Sequence, residues 1–279
     1  MKQLIITADD FGYDNFANEA IMDAFNNGIL TSSCLMANME GFEDAISKIK
    51  SSKKQLDIGV HLNIIEGKSL AFDGTSSLTD KNGNFNNGFI GLLIKSFDEK
   101  FLAEVEKEFR YQIEKIKNEN IDVTYINSHV HTHSIPNIFK LVCKLMKEHD
   151  IKAIRTQKEN FYIAKPLKRH FNLDYFINII KNILLNFFSL INKNYLKKTN
   201  FTTNDNFIGV LYTANMDKSS ILDGLKNQKG IIEAIAHPTL NKNKPKNYIE
   251  YQTFIDNELK NELLKQNIKL INWKDVFVS

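Results

Sequence analysis

Eight short runs of β-branched and apolar residues recur along the chain, most of them parted by stretches with helical spacing. "LIITA" reads as a strand and "NEAIMDAFNNG" as the helix after it, ended by Gly28. "ILTSSCLMA" and "LDIGVHLNI" are further strands, with the helix "FEDAISKIKSS" between them. A loop rich in Gly, Asn and Ser covers residues 66–88. Residues 98–120 place Phe101, Val105, Phe109, Ile113 and Ile116 at helical spacing. "VTYINSHVH", "IKAIRT", "FIGVLY", "IIEAIAH" and "IKLIN" complete the strands, and "PNIFKLVCKLMKEH" is a helix with Pro136 in its first turn. This alternation predicts a parallel sheet with helices outside it. The count suits one TIM-like (β/α) barrel over residues 1–279, regular or distorted, with an open doubly wound sheet as the alternative.

Several function classes fall away early. Neither GxGxxG after the first strand nor GxxxxGK[ST] is present, so dinucleotide and P-loop chemistry are unsupported. A net charge of +3 is too small to argue for nucleic acid, and no aromatic-basic recognition motif appears. Cys34 and Cys143 lie far apart among apolar neighbours, which predicts buried reduced thiols and suits the cytoplasm. "KQLIITADD" at the start has no long apolar stretch closed by a small-residue cleavage site, and a cytoplasmic location is expected.

Residues 165–198 stand apart, basic at both flanks and apolar between: "LDYFINIIKNILLNFFSLINK". The leading reading is a core-packing helix, inserted around residues 160–200. The sharper one is an amphipathic helix that rests on a membrane or covers a lipid-linked substrate.

Chemistry concentrates where strands end, the rim at which barrels and open α/β sheets build their sites. The first strand ends in Asp9 and Asp10, and the third carries His61. "INSHVHTHSIP" sets His129, His131 and His133 at alternate positions, which in an extended chain puts three rings on one face. "IKAIRT" ends near Arg155 and "IIEAIAHP" in His237. One carboxylate and two imidazoles with open positions suit Zn²⁺ and other divalent metals, Mg²⁺ among them. A neighbouring carboxylate can deprotonate water, and a histidine across the site can protonate a leaving nitrogen. No nucleophile elbow is visible, so direct attack by water is preferred over an acyl-enzyme.

The blocks "TADDFG", "GILTSSCLMANMEGFEDAI", "DIGVHLNIIEGKSL", "INSHVHTHSIP", "IRT", "NDNFIGV" and "IEAIAHP", in this order, resemble the YdjC-like carbohydrate deacetylases. The resemblance implies a TIM-like fold, a bound divalent metal and removal of N-acetyl groups from amino sugars. It implies that Asp10, His61 and His129 hold the metal and that Asp9 is the general base, although those two aspartates could exchange roles. His237 becomes a general acid or a stabiliser of the tetrahedral intermediate, and Arg155 orients the base or the substrate. His131 and His133 would support the ligands or touch substrate. Family members include dimers, so a homodimer is among the states implied.

The chain departs from the family pattern at Asn127, where Asp is usual, and at Ser69, where Pro is common. An amide at 127 keeps an acceptor for a ligand histidine but loses the charge. The 165–198 segment makes nucleotide-linked and lipid-linked acetamido sugars candidates beside free oligosaccharides. Two other readings stay open: a metal phosphoesterase or other amidohydrolase, and a catalytically silent sugar-binding relative.

Overall fold

All eight runs form strands in a computed structural model that describes residues 2–74, 76–170 and 173–278. They are β1 (Lys2–Phe11), β2 (Ser32–Leu35), β3 (Asp57–Leu62), β4 (Val123–Ser128), β5 (Ala153–Ile154), β6 (Asn206–Ile208), β7 (Gly230–Ala236) and β8 (Ile268–Leu270). Every pairing is parallel. The order is β5-β4-β3-β2-β1-β7-β6, with β8 beside the start of β1.

Around the curled sheet run α1 (Asn15–Asn27), α2 (Phe42–Ser51), α3 (Phe89–Lys95), α4 (Glu99–Asn118) and α5 (Pro136–His149). They are followed by α6 (Leu173–Leu196), α7 (Lys218–Leu225), α8 (Pro245–Phe254), α9 (Asn257–Lys265) and α10 (Trp273–Val278). Asp14 and Asp98 cap α1 and α4 by accepting backbone N–H bonds, which gives those helices their sharp starts.

The two edge strands meet across an irregular seam. Ile154 N–H donates to the Thr202 carbonyl at 3.0 Å, and Phe207 N–H to that of Lys158 at 2.8 Å. The result is a distorted barrel rather than an open doubly wound sheet.

Alternation along β1 sorts its residues between two environments. Leu4, Ile6 and Ala8 join the large cluster shared with the helices. Ile5 joins an inner cluster with Cys34, Tyr125, Ala153, Ile271 and Trp273. Thr7 and Asp9 share Ile5's parity, which carries polar groups up the barrel interior. Trp273 stacks on Tyr125 at 5.0 Å, and its indole N–H donates to Glu233 at 3.3 Å. Gly59 makes room for this pair: a Cβ there would lie 2.6 Å from the Tyr125 ring.

Two expectations need correction. β4 stops at Ser128, and His129–Ser134 form a 3₁₀ turn instead of more strand. Val130 and His131 there have φ of 52° and 56°, so the three histidine rings do not share a face. Ser128 Oγ closes the turn by accepting the His133 N–H at 2.8 Å. The "IKAIRT" strand shortens to two residues, leaving Arg155 just beyond its end.

Helix α6 forms within the 165–198 segment. Among the described residues it is long and apolar enough to cross a membrane by length and composition. It packs Tyr175, Leu185, Phe188 and Leu196 into the core, with Asn178, Asn182, Ser189 and Asn192 on the same inward face, while its opposite side keeps an exposed apolar stripe. Phe171 and Asn172 of the 165–198 segment, and Thr75 of the 66–88 loop, lie outside the described residues.

Candidate active site

A column of charge climbs the barrel interior to the carboxyl ends of the strands. Arg155 is fully buried between two carboxylates. Its Nη1 and Nη2 donate to Asp9 Oδ2 and Oδ1 at 2.7 and 2.8 Å. Its Nε and Nη2 donate to Glu233 at 2.8 and 2.7 Å. Glu233 also accepts from Thr7 Oγ1 at 2.7 Å. Burial pushes the Asp9 carboxyl upward, but the Arg155 charge outweighs it and holds Asp9 well below the usual carboxylate range. Arg155 is therefore the residue that orients Asp9. It does not line the cavity above.

Asp10 sits one step further, where β1 bulges and its own φ is 67°. This left-handed conformation is one that Asp tolerates better than most non-glycine residues. It brings Asp10 Oδ1 to 3.3 Å from His61 Nε2 and 3.0 Å from His129 Nδ1. The ligand atoms of Asp10, His61 and His129 lie within 4.8 Å of one another.

Each imidazole is aimed by its far nitrogen. His61 Nδ1 is 2.6 Å from Asn127 Oδ1, which fixes the proton there and leaves Nε2 as a lone pair facing Asp10. The buried Nε2 has no hydrogen-bond partner. His129 Nε2 is 3.6 Å from Glu66, which also accepts from the Tyr13 hydroxyl at 3.1 Å. Burial opposes a charge on His129, yet Asp10 and Glu66 raise its pKa to about 10. An orphaned imidazole lone pair beside carboxylates fits a divalent cation in both donor chemistry and local potential.

A second group, Asp9, Cys34 and His61, is also close enough to hold a metal. Its atoms are already committed. Both Asp9 oxygens face Arg155, His61 Nδ1 faces Asn127, and the Cys34 thiol donates to Asp9 at 3.1 Å. Burial pushes the Cys34 pKa well up, so the thiol keeps its proton.

Asn127 links the two layers. Its Nδ2 points to Cys34 Sγ at 3.2 Å and Asp9 Oδ1 at 3.5 Å, while its oxygen takes His61. The other expected histidines separate. His131 lines the cavity, its ring edge-on to Phe207, with a buried Nδ1 that has no partner. His133 lies behind the site, its Nδ1 2.6 Å from Ser128 Oγ and its Nε2 3.2 Å from the Arg155 carbonyl. It braces the turn and the Arg155 backbone.

His237 closes the other side. Glu250 accepts its backbone N–H at 2.7 Å and lies 3.6 Å from Nδ1. Burial pushes the His237 pKa down, but Glu250 and Asp10 raise it to about 9. The ring is thus an imidazolium at neutral pH.

Glu66, Glu233, Glu250 and Cys34 were not singled out from sequence as site residues. Glu66 lies inside a motif block and was legible only as the start of a loop. The other three reveal themselves through partners distant in the chain.

Two clefts open from this rim and share Asp10, His129, His237 and Asn247. One, of about 240 Å³, is polar, with Tyr13, Asp14, Glu66, Thr239 and Lys244. The other, of about 470 Å³, has apolar walls that include Phe89, Ile90, Ile180, Leu184 and Val210.

A parallel α/β barrel with carboxylates and imidazoles gathered at its strand ends defines a barrel enzyme. The chain belongs to the YdjC-like family, whose model matches residues 3–265. A carbohydrate deacetylase of Clostridium beijerinckii is 30% identical over 98% of this chain and 100% of that protein. One from Brevibacillus brevis is 38% identical over 53% of this chain and 57% of its own. A solved structure from Enterococcus faecalis, assigned by name to cellobiose-phosphate cleavage, superposes with a TM-score of 0.75 at 21% identity over 98% of both chains. At that identity it shows the fold alone.

Proposed function

We propose that the protein is a carbohydrate deacetylase that hydrolyses the N-acetyl group of an acetamido sugar, releasing acetate and a free amine. The observation that carries this reading is the juxtaposition of Asp10, His61 and His129 with the Arg155-held Asp9, facing His237 across one rim. Full-length similarity to a carbohydrate deacetylase supports it.

Asp10, His61 and His129 would hold one divalent metal, Zn²⁺ or Mg²⁺. Such an ion polarises a carbonyl and lowers the pKa of bound water. Asp9, fixed by the Arg155 fork, takes the proton as water attacks the acetamide carbon. The carbon–nitrogen bond breaks, and the His237 imidazolium gives its proton to the departing nitrogen. Asn127 and Glu66 keep the two ligand imidazoles oriented. The polar cleft, with Tyr13, Thr239 and Lys244, accepts the sugar hydroxyls. The buried free thiols fit a reducing cytoplasmic setting.

The reading is tested by measuring acetate from free, nucleotide-linked and lipid-linked acetamido sugars, with metal-stripped protein and then with Zn²⁺ or Mg²⁺ restored. Metal-dependent release is expected. Metal-loaded protein that releases no acetate from any of them would overturn it.

A further inference from the structure

Helix α6 keeps a wide apolar face in solvent, where a surface helix in water carries polar groups. Its inward face mixes core-packing groups, Tyr175, Leu185, Phe188 and Leu196, with amides that bond the body of the protein. Asn182 donates to the Glu159 carbonyl and carboxylate at 3.2 and 2.9 Å, and Asn192 to the Ser134 carbonyl at 2.7 Å. Its outward stripe is Leu173, Phe176, Ile180, Ile183, Phe187 and Leu190, spaced by three and four residues and exposed by 54% or more. Phe188 stacks on Phe89 at 6.5 Å, which sets α3 alongside. Beside it Ile90, Ile94 and Phe97 are 59–77% exposed. An apolar surface this continuous calls for a partner.

Charge selects the partner. Residues 161–200 carry six lysines and one arginine against a single acid, Asp174, in a chain whose total excess is only +3. That acid is paired with Lys246. Lys181 stands exposed within the apolar stripe, and Lys197 and Lys198 at its end. A second copy docking by a two-fold axis would set this basic segment against itself. An anionic bilayer offers both the apolar interior and the matching charge.

We propose that the outward face of α6 with α3 docks on an anionic lipid bilayer, and that the acetamido sugar is presented there attached to a lipid. The amides that tie α6 to the barrel make it lie on the membrane rather than span it. Ile180, Lys181 and Leu184 of this helix also wall the 470 Å³ apolar cleft, which reaches Asp9 and Asp10. A bare sugar has little use for such walls, whereas the first apolar carbons of a lipid carrier fill them while the sugar occupies the polar cleft. The lipid-borne substrate rests on the deacetylase reading; the docking does not.

The test is flotation of the full chain with phosphatidylcholine vesicles, with and without phosphatidylglycerol. The wild-type protein is expected to float with the anionic vesicles and to be released by salt. Ile183→Asn/Phe187→Asn/Leu190→Asn, all outside the cleft, should weaken partition by about tenfold or more. It should still release acetate from a soluble acetamido sugar. Should that variant misfold, Lys197→Glu/Lys198→Glu should remove the preference for anionic vesicles. Wild-type protein that stays with neither vesicle overturns the proposal. So does a lipid-free dimer in sedimentation velocity that the triple variant dissociates. Flotation without acetate from any sugar would instead defeat the deacetylase reading and leave the docking standing.

Discussion

Arg155 grips Asp9 with both arms of its guanidinium, at 2.7 and 2.8 Å, from a position with no exposure to solvent. Arg155→Lys keeps the charge but loses the fork, so Asp9 is no longer fixed. We expect kcat to fall by about 10²-fold with KM nearly unchanged. A raised KM at normal kcat would mean that Arg155 touches substrate. The pair also ties stability to pH. Because Asp9 is depressed, its contribution is present above the ordinary aspartate range and is lost as pH falls through its folded pKa. Thermal unfolding should show Arg155→Lys destabilised at neutral pH, with the gap narrowing in strong acid.

Asn127 stands 3.5 Å from Asp9 through its amide nitrogen. Asn127→Asp would place a second carboxylate there, raising the proton affinity of Asp9. The acid limb of the kcat/KM profile should move to higher pH. The stronger acceptor for His61 should at the same time tighten metal, on the order of tenfold. A pH–rate series with competitive chelation reads both; an unmoved acid limb would separate Asp9 from the proton transfer.

His237 owes its raised pKa in part to Glu250. A raised histidine is protonated at neutral pH and loses its proton as pH climbs through about 9. Met216 and His237 N–H donate to separate oxygens of Glu250, so Glu250→Gln keeps an acceptor for one of them and removes the charge beside the His237 ring. The alkaline limb of kcat should therefore shift to lower pH. A limb that stays in place would mean another group is the acid.

Gly59→Ala would drive a methyl to 2.6 Å from the Tyr125 ring, which Trp273 holds from the other side. A loss of about 1–3 kcal/mol in stability is expected from denaturant unfolding. An unchanged midpoint would show the barrel interior to be looser than this packing.

Much of this was legible in the sequence because strand periodicity and strand-end chemistry are local signals. The eight runs fell where strands formed, and Asp9, Asp10, His61, His129, Arg155 and His237 all reached one rim. The alternating histidines misled because a spacing of two does not distinguish a strand from a turn holding left-handed Val130 and His131. Glu233 and Glu250 escaped notice because their partners lie 78 and 13 residues away, Arg155 and His237. The orientation of α6 was hidden for a related reason. Its apolar content suggested burial, which Tyr175, Leu185, Phe188 and Leu196 follow, but only the hydrogen bonds of its asparagines reveal that amides share that inward face.

The central claim is tested most directly by acetate release and metal content measured together for the wild-type protein and Asp9→Asn. The account predicts metal-dependent acetate from the wild type. It predicts equal metal in Asp9→Asn, with turnover slower by about 10²–10⁴-fold. Full activity in Asp9→Asn, or no acetate from any acetamido sugar by metal-loaded wild type, would contradict it.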